Sequence, residues 1–265
     1  MASPEALAAK NTGNKFFAAK EYEQAIEWYT KAIGLYADDH AFYSNRSAAY
    51  IALDNFDAAL EDGRKCIELN PKWIKGYYRA AVGLSGLHRY EECMDLLNKA
   101  LRIGTDNDLK RIHAEATAAV KLLDNVKDAN GNKLSRAAAA KQLGTDAYRV
   151  SNYEEAIKMF TRAIVNAKND EQELIAACYS NRAACHMQHH GYKKVIADCT
   201  ECLKIQPENA KALMRRCLAY EALEKYQLAL DGRFPHVFFL HSLLLLFSST
   251  FSLIENHPSD SLNSS

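Results

Sequence analysis

The chain has 265 residues, and its 33 Lys and Arg balance its 33 Asp and Glu. A net charge of zero argues against a broadly electrostatic nucleic-acid binder, which is usually basic. Charged residues at 25% and hydrophobic ones at 48% are those of an ordinary soluble globular chain, while only 11 Gly and 5 Pro disfavour a turn-rich β fold and favour helices.

Ser3-Pro4-Glu5 reads as a helix start, with an N-cap, a proline at the first helical position and an early acid. No apolar leader is read there, so the chain is expected to be cytoplasmic and its seven cysteines reduced. From this point a motif recurs. Glu21-Tyr22-Glu23-Gln24-Ala25-Ile26 returns as Asn55-Phe56-Asp57-Ala58-Ala59-Leu60, as Arg89-Tyr90-Glu91-Glu92-Cys93-Met94, and as Asn152-Tyr153-Glu154-Glu155-Ala156-Ile157. The small residues Ala25, Ala59 and Cys93 are 34 apart, and Ala32 and Ala100 follow Ala25 and Cys93 by seven. Asn70-Pro71 and Gln206-Pro207 lie four such periods apart in matching contexts.

A 34-residue period with mid-repeat small residues and a terminal proline resembles the tetratricopeptide repeat. The expected repeats are 6–39, 40–73 and 74–107, then 137–170, 176–209 and a broken one from 210, each a helical hairpin. Residues 108–125, with Leu109, Ile112, Ala116, Val120 and Leu123 at helical spacing, are expected to cap the first group. The predicted fold is all-α: a first array at 5–125, a polar linker at 126–135 containing Asn130-Gly131, a second array at 136–231 with its third repeat truncated, and an atypical apolar tail at 232–265. Ser135 is the expected N-cap after the linker. The resemblance implies that both arrays are right-handed superhelices.

The tail departs from the body. No Lys or Arg follows Arg233, and Phe234 to Ile254 carries no charged residue. Such a stretch is long enough to span a bilayer as a tail anchor. Its serines, Pro235 and the single flanking Arg233 argue instead for a truncated or mis-spliced end, because the repeat pattern stops at Asp231-Gly232-Arg233.

The first helices of such repeats line a concave face suited to an extended peptide. Lys10 and Asn14 are one turn apart on the first helix of repeat one, Asn45 lies on that of repeat two, and Lys75 and Arg79 are one turn apart on that of repeat three. Three cations and two amides aimed at one groove suit a pair of carboxylates, such as a chain terminus beside an acidic side chain.

Lys10-Asn11-Thr12-Gly13-Asn14, Tyr43-Ser44-Asn45-Arg46-Ser47-Ala48-Ala49-Tyr50 and Lys75-Gly76-Tyr77-Tyr78-Arg79 resemble the dicarboxylate-clamp repeats of the Hsp-organising, stress-inducible co-chaperones. The resemblance implies that Lys10, Asn14, Asn45, Lys75 and Arg79 bind the C-terminal Glu-Glu-Val-Asp of 70- and 90-kDa heat-shock chaperones. In the second array Lys141, Asn181, Lys211 and Arg215 match, but Thr145 replaces the asparagine, so weaker or altered peptide binding is expected there.

Other signals are discounted. Cys199-Thr200-Glu201-Cys202 has metal or redox spacing, but both cysteines fall at helix-packing positions and no second pair completes a site, so no metal is expected. His186, His189 and His190 are read as packing or surface residues. The Asn45-Arg46-Ser47 sequon would lie inside the groove. No phosphate loop, nucleophile elbow or zinc-protease motif occurs, so the chain is read as neither an enzyme nor a cofactor binder. The expected function is that of a co-chaperone adaptor. The alternative is a tail-anchored receptor that docks chaperone-bound precursors at a membrane through residues 234–254.

Overall fold

In the computed structural model the described residues are 2–104 and 106–223. They form twelve α-helices and no strand, as the periodicity predicts. The helices are α1 (Pro4–Ala18), α2 (Tyr22–Leu35), α3 (His40–Ala52), α4 (Phe56–Leu69), α5 (Ile74–Gly86), α6 (Tyr90–Ile103), α7 (Asn107–Asp124), α8 (Arg136–Arg149), α9 (Tyr153–Asn166), α10 (Gln172–Gln188), α11 (Tyr192–Ile205) and α12 (Ala210–Ala222). The rest of the sixth repeat from Lys225, and the tail at 232–265, lie outside the described residues, so both readings of the tail do too.

The helix starts follow local chemistry. Ser3 Oγ accepts from the Ala6 amide at 3.1 Å and Ser135 Oγ from that of Ala138 at 3.1 Å. Asp39, Asn55, Asp106, Asn152 and Asn209 cap α3, α4, α7, α9 and α12 in the same way, each satisfying a donor the helix leaves open. Five hairpins turn through a residue in the left-handed region, Lys20, Asp54, His88, Ser151 and His190, with φ of 64°, 54°, 58°, 60° and 53°. Each lies between the two helices of one repeat. A non-glycine residue there carries a small strain, and the packed hairpin holds it.

The recurring small residues sit where helices touch. Ala25, Ala59, Cys93 and Ala156 are fully buried, as are Ala32, Ala100 and Ala163. The helices α4 and α5 approach each other closely. A Cβ placed on Gly63 would stand 2.5 Å from the Ala80 amide nitrogen. In the first group α3 packs against both α1 and α5, so the three helices that carry the candidate residues succeed one another. Leu109, Ile112 and Ala116 of α7 join the core formed by α5 and α6, which gives the third repeat a cover for its apolar face.

The chain divides into two compact units, and the division falls inside α8 between Ala139 and Ala140. Two details go beyond the periodicity. Residues 126–135 fold into a tight turn: the Asp128 carboxylate accepts from the amides of Asn130 and Asn132, and Leu134 N–H donates to the Val126 carbonyl. Its end is held by Arg136, which makes a bidentate contact with Asp124 at 2.7 and 2.9 Å and also pairs with Glu91. In addition α10 starts at Gln172, one turn before the expected 176. Glu171 ties the approach by accepting from the Lys168 amide, and Gln172 Nε2 donates to the Asn169 carbonyl.

Candidate functional site

Lys10 and Asn14 sit one turn apart on α1, Asn45 on α3, and Lys75 and Arg79 one turn apart on α5. The structure brings two of them into direct contact: Asn45 Nδ2 donates to Asn14 Oδ1 at 3.1 Å. The same Asn14 oxygen accepts from the hydroxyl of Tyr29 on α2 at 2.8 Å. With its oxygen held twice, Asn14 has its amide N–H₂ turned away from both partners, free to donate to a ligand. Among the described residues no hydrogen bond or ion pair fixes Lys10 or Lys75. Lys75 is exposed and Lys10 half-buried.

Arg79 differs from the lysines. Its guanidinium lies over the Tyr78 ring at 5.4 Å, and its Nε is buried without a hydrogen-bond partner. Burial pulls its pKa below the usual guanidinium value. A buried donor left unsatisfied costs about 1–3 kcal/mol.

Motif reasoning does not single out Tyr29, because no tyrosine recurs at its position: the equivalent residues are Gly63, Leu97 and Phe160. It is 2% exposed, and its ring packs so closely on α1 that a Cβ on Gly13 would stand 2.7 Å from Cε1. Burial pushes its hydroxyl up to about 12, so it remains a donor. Arg46 was also passed over. It forms a bidentate pair with Asp62 at 2.7 and 2.8 Å and donates to Thr30 Oγ1 at 3.0 Å, tying α3 to both α4 and α2. The second unit repeats this device: Arg182 pairs with Asp198 at 2.6 and 2.9 Å and donates to Thr161 at 2.9 Å. The arginine after each candidate asparagine, Asn45 and Asn181, therefore fixes the helix that carries it.

In the second unit Lys141 and Thr145 lie on α8, Asn181 on α10, and Lys211 and Arg215 on α12. Thr145, Asn181 and Arg215 line one cavity. The hydrogen bonding differs from that in the first unit. Thr145 Oγ1 donates to the Lys141 carbonyl of its own helix at 2.9 Å, and Phe160 occupies the place of Tyr29, packed on Gly144. Arg215 Nη1 donates to Ser180 O at 3.0 Å and Ser180 Oγ at 2.8 Å, so this guanidinium is engaged within the fold.

The discounted cysteines are core residues. Cys199 and Cys202 are fully buried in the cluster that joins α10, α11 and α12, and burial pushes the Cys199 thiol up to about 12. His186 lies 3.8 Å from Asp198, with its pKa lowered by burial. His190 contacts the Tyr192 hydroxyl at 3.0 Å in its turn, and His189 meets the edge of Tyr153. Among the described residues no cluster of three metal-ligating side chains occurs, and no helix is long and apolar enough to cross a membrane.

Helical hairpins of this period and packing match a known family. The tetratricopeptide-repeat model matches residues 16–39 and 40–72. Residues 16–72 thus carry tetratricopeptide repeats. It is 29% identical over 238 residues to the Hsp70-Hsp90 organizing protein of Triticum aestivum, covering 85% of this chain and 39% of that one. It is 29% identical over 236 residues to the mitochondrial import receptor subunit TOM70 of Rattus norvegicus, covering 81% and 37%. Over 99 residues it is 42% identical to the heat shock protein STI1 of Saccharomyces cerevisiae, covering 37% and 17%. The chain thus spans less than two fifths of the length of each of these relatives.

Proposed function

We propose that this chain is a chaperone adaptor whose first array, residues 5–125, binds the acidic C-terminal peptide of 70- or 90-kDa heat-shock chaperones. The observation that carries this reading is the Asn45–Asn14 hydrogen bond joining α3 to α1, with the Arg79 guanidinium on α5, the helix packed on the other side of α3. In this reading the terminal carboxylate meets the amides of Asn14 and Asn45 together with Lys10, and the penultimate backbone and acidic side chain meet Lys75 and Arg79. Charge-assisted contacts of this kind contribute about 1.5–3 kcal/mol each before ordering costs, so a micromolar affinity follows for a short peptide. Likeness to a chaperone-organizing protein and to STI1 supports the same reading. The second array, 136–231, is the place for a second peptide, and two sites in tandem would raise avidity for a chaperone pair.

The test is calorimetric titration of the full chain with peptides ending in Glu-Glu-Val-Asp, as free acid and as C-terminal amide. The acid binds and the amide does not; Lys75→Ala with Arg79→Ala removes the binding, and added salt weakens it. Equal affinity for acid and amide would sink the clamp.

A membrane docking receptor is the second reading, favoured by the likeness to TOM70 and by the uncharged stretch 234–254. Membrane fractionation of the full chain against a 1–231 truncation separates the two: an adaptor stays in the soluble fraction in both forms.

A further inference from the structure

The second array has lost two linked groups. Where the first has Asn14 held by the Tyr29 hydroxyl, the second has Thr145 and Phe160. Phe160 carries no oxygen, and the Thr145 hydroxyl is turned back onto the Lys141 carbonyl. What remains is a cavity of about 120 Å³ lined by Thr145, Tyr148, Phe160, Asn181, Ala184 and Arg215. Its walls are aromatic rings and methyl groups. Its polar groups are the Asn181 amide, the Arg215 guanidinium and the hydroxyls of Tyr148 and Thr145, the last of them spent on its own helix.

We propose that this cavity receives the side chain of an apolar C-terminal residue, leucine in size, whose terminal carboxylate is held by Arg215 and Asn181. The proposal rests on the reading of the arrays as peptide clamps, and it names a different ligand for the second one. Size and chemistry both point to it. A cavity of about 150 Å³ lined by apolar side chains holds benzene, so this one suits a four-carbon aliphatic group. An aspartate side chain placed there would give up its water to two ring faces and a methyl, without the two-donor amide that the first array offers. Arg215 is already fixed by Ser180 through Nη1, which orients the guanidinium and leaves Nε and Nη2 for a single carboxylate. Lys141 and Lys211, one turn before Thr145 and Arg215 on their helices, then favour acidic residues upstream of the terminus.

The experiment uses the full chain with its first site silenced by Lys75→Ala and Arg79→Ala. Peptides ending in Leu as free acid, in Leu as amide, and in Glu-Glu-Val-Asp are titrated by calorimetry. The Leu acid binds about tenfold or more tighter than both others: buried methylenes separate it from the Asp-ended peptide, and the carboxylate on Arg215 separates it from the amide. Ala184→Leu fills the cavity and abolishes that binding, while Thr145→Asn with Phe160→Tyr shifts preference toward the Asp-ended peptide. If Ala184→Leu fails to fold, the Thr145/Phe160 pair decides alone. The proposal is overturned if the Asp-ended peptide binds as well as the Leu acid, if acid and amide bind equally, or if no peptide binds. None of these outcomes touches the first-array clamp, which falls only if the unmodified chain fails to distinguish Glu-Glu-Val-Asp acid from its amide.

Discussion

Tyr29→Phe removes a single oxygen and leaves the ring packed on Gly13. The hydroxyl donates to Asn14 Oδ1 at 2.8 Å and is buried. A neutral hydrogen bond of this kind is worth about 0.5–1.5 kcal/mol net. Asn14 is exposed and keeps the donor from Asn45 at 3.1 Å, so its oxygen is not orphaned and the lower half of that range applies. The expected stability loss is about 0.5–1 kcal/mol, a fall in Tm of about 2–4 °C. The effect on binding has a separate origin: with only one partner, the Asn14 amide must be ordered by the ligand itself. Affinity for Glu-Glu-Val-Asp should fall by roughly three- to fivefold, the equivalent of about 0.7–1 kcal/mol. Because burial pushes the Tyr29 hydroxyl up to about 12, it stays protonated in the folded state, and the difference between the two proteins should be flat from about pH 6 to about pH 9. Thermal melts give the first quantity and calorimetry the second. A protein that loses stability but binds peptide as before would refute the positioning role and leave Tyr29 as packing only.

Asp62→Ala should be far more damaging. It strips the bidentate partner from Arg46, whose side chain is 18% exposed, and leaves the Thr30 hydroxyl and the rings of Tyr43 and Tyr50. Breaking one side of a buried pair costs about 3–5 kcal/mol, and the partial exposure of Arg46 puts this case near the lower end. Urea unfolding measures it, with Asp62→Leu plus Arg46→Met recovering much of the loss; a cost below about 1 kcal/mol would show the pair to be incidental. Gly63→Ala and Gly34→Ala should move in opposite directions. The first places a methyl 2.5 Å from the backbone of Ala80, which cannot yield cheaply, and should cost about 1–3 kcal/mol or more. The second meets nothing within 4 Å on an exposed helix position and should gain about 0.5–1 kcal/mol; equal shifts in the two melts would contradict the packing described for α4 and α5.

The sequence by itself determined the helices, their pairing and most of the residues offered for binding. A 34-residue period is a local signal repeated many times. Alanine at the helix contacts, asparagine at the caps and proline after the hairpin each act within a few residues, so Ala25, Asn55 and Pro71 can be read without knowing what lies across from them. The candidate row can be written down for the same reason, since Lys10 with Asn14 and Lys75 with Arg79 are one turn apart on their own helices. Whatever depends on another helix was left to the tertiary structure. Tyr29 and Arg46 look like ordinary second-helix and first-helix residues until the fold brings one to Asn14 and the other to Asp62. The early start of α10 and the closed turn at 126–135 depend on side-chain to backbone bonds that the period does not encode. The second array shows the division most clearly. Thr145 read alone is a weakened clamp residue. Only the packing of α8 against α9 brings it to Phe160, and only the fold sets both beside Arg215 around one cavity, because these residues lie on three different helices.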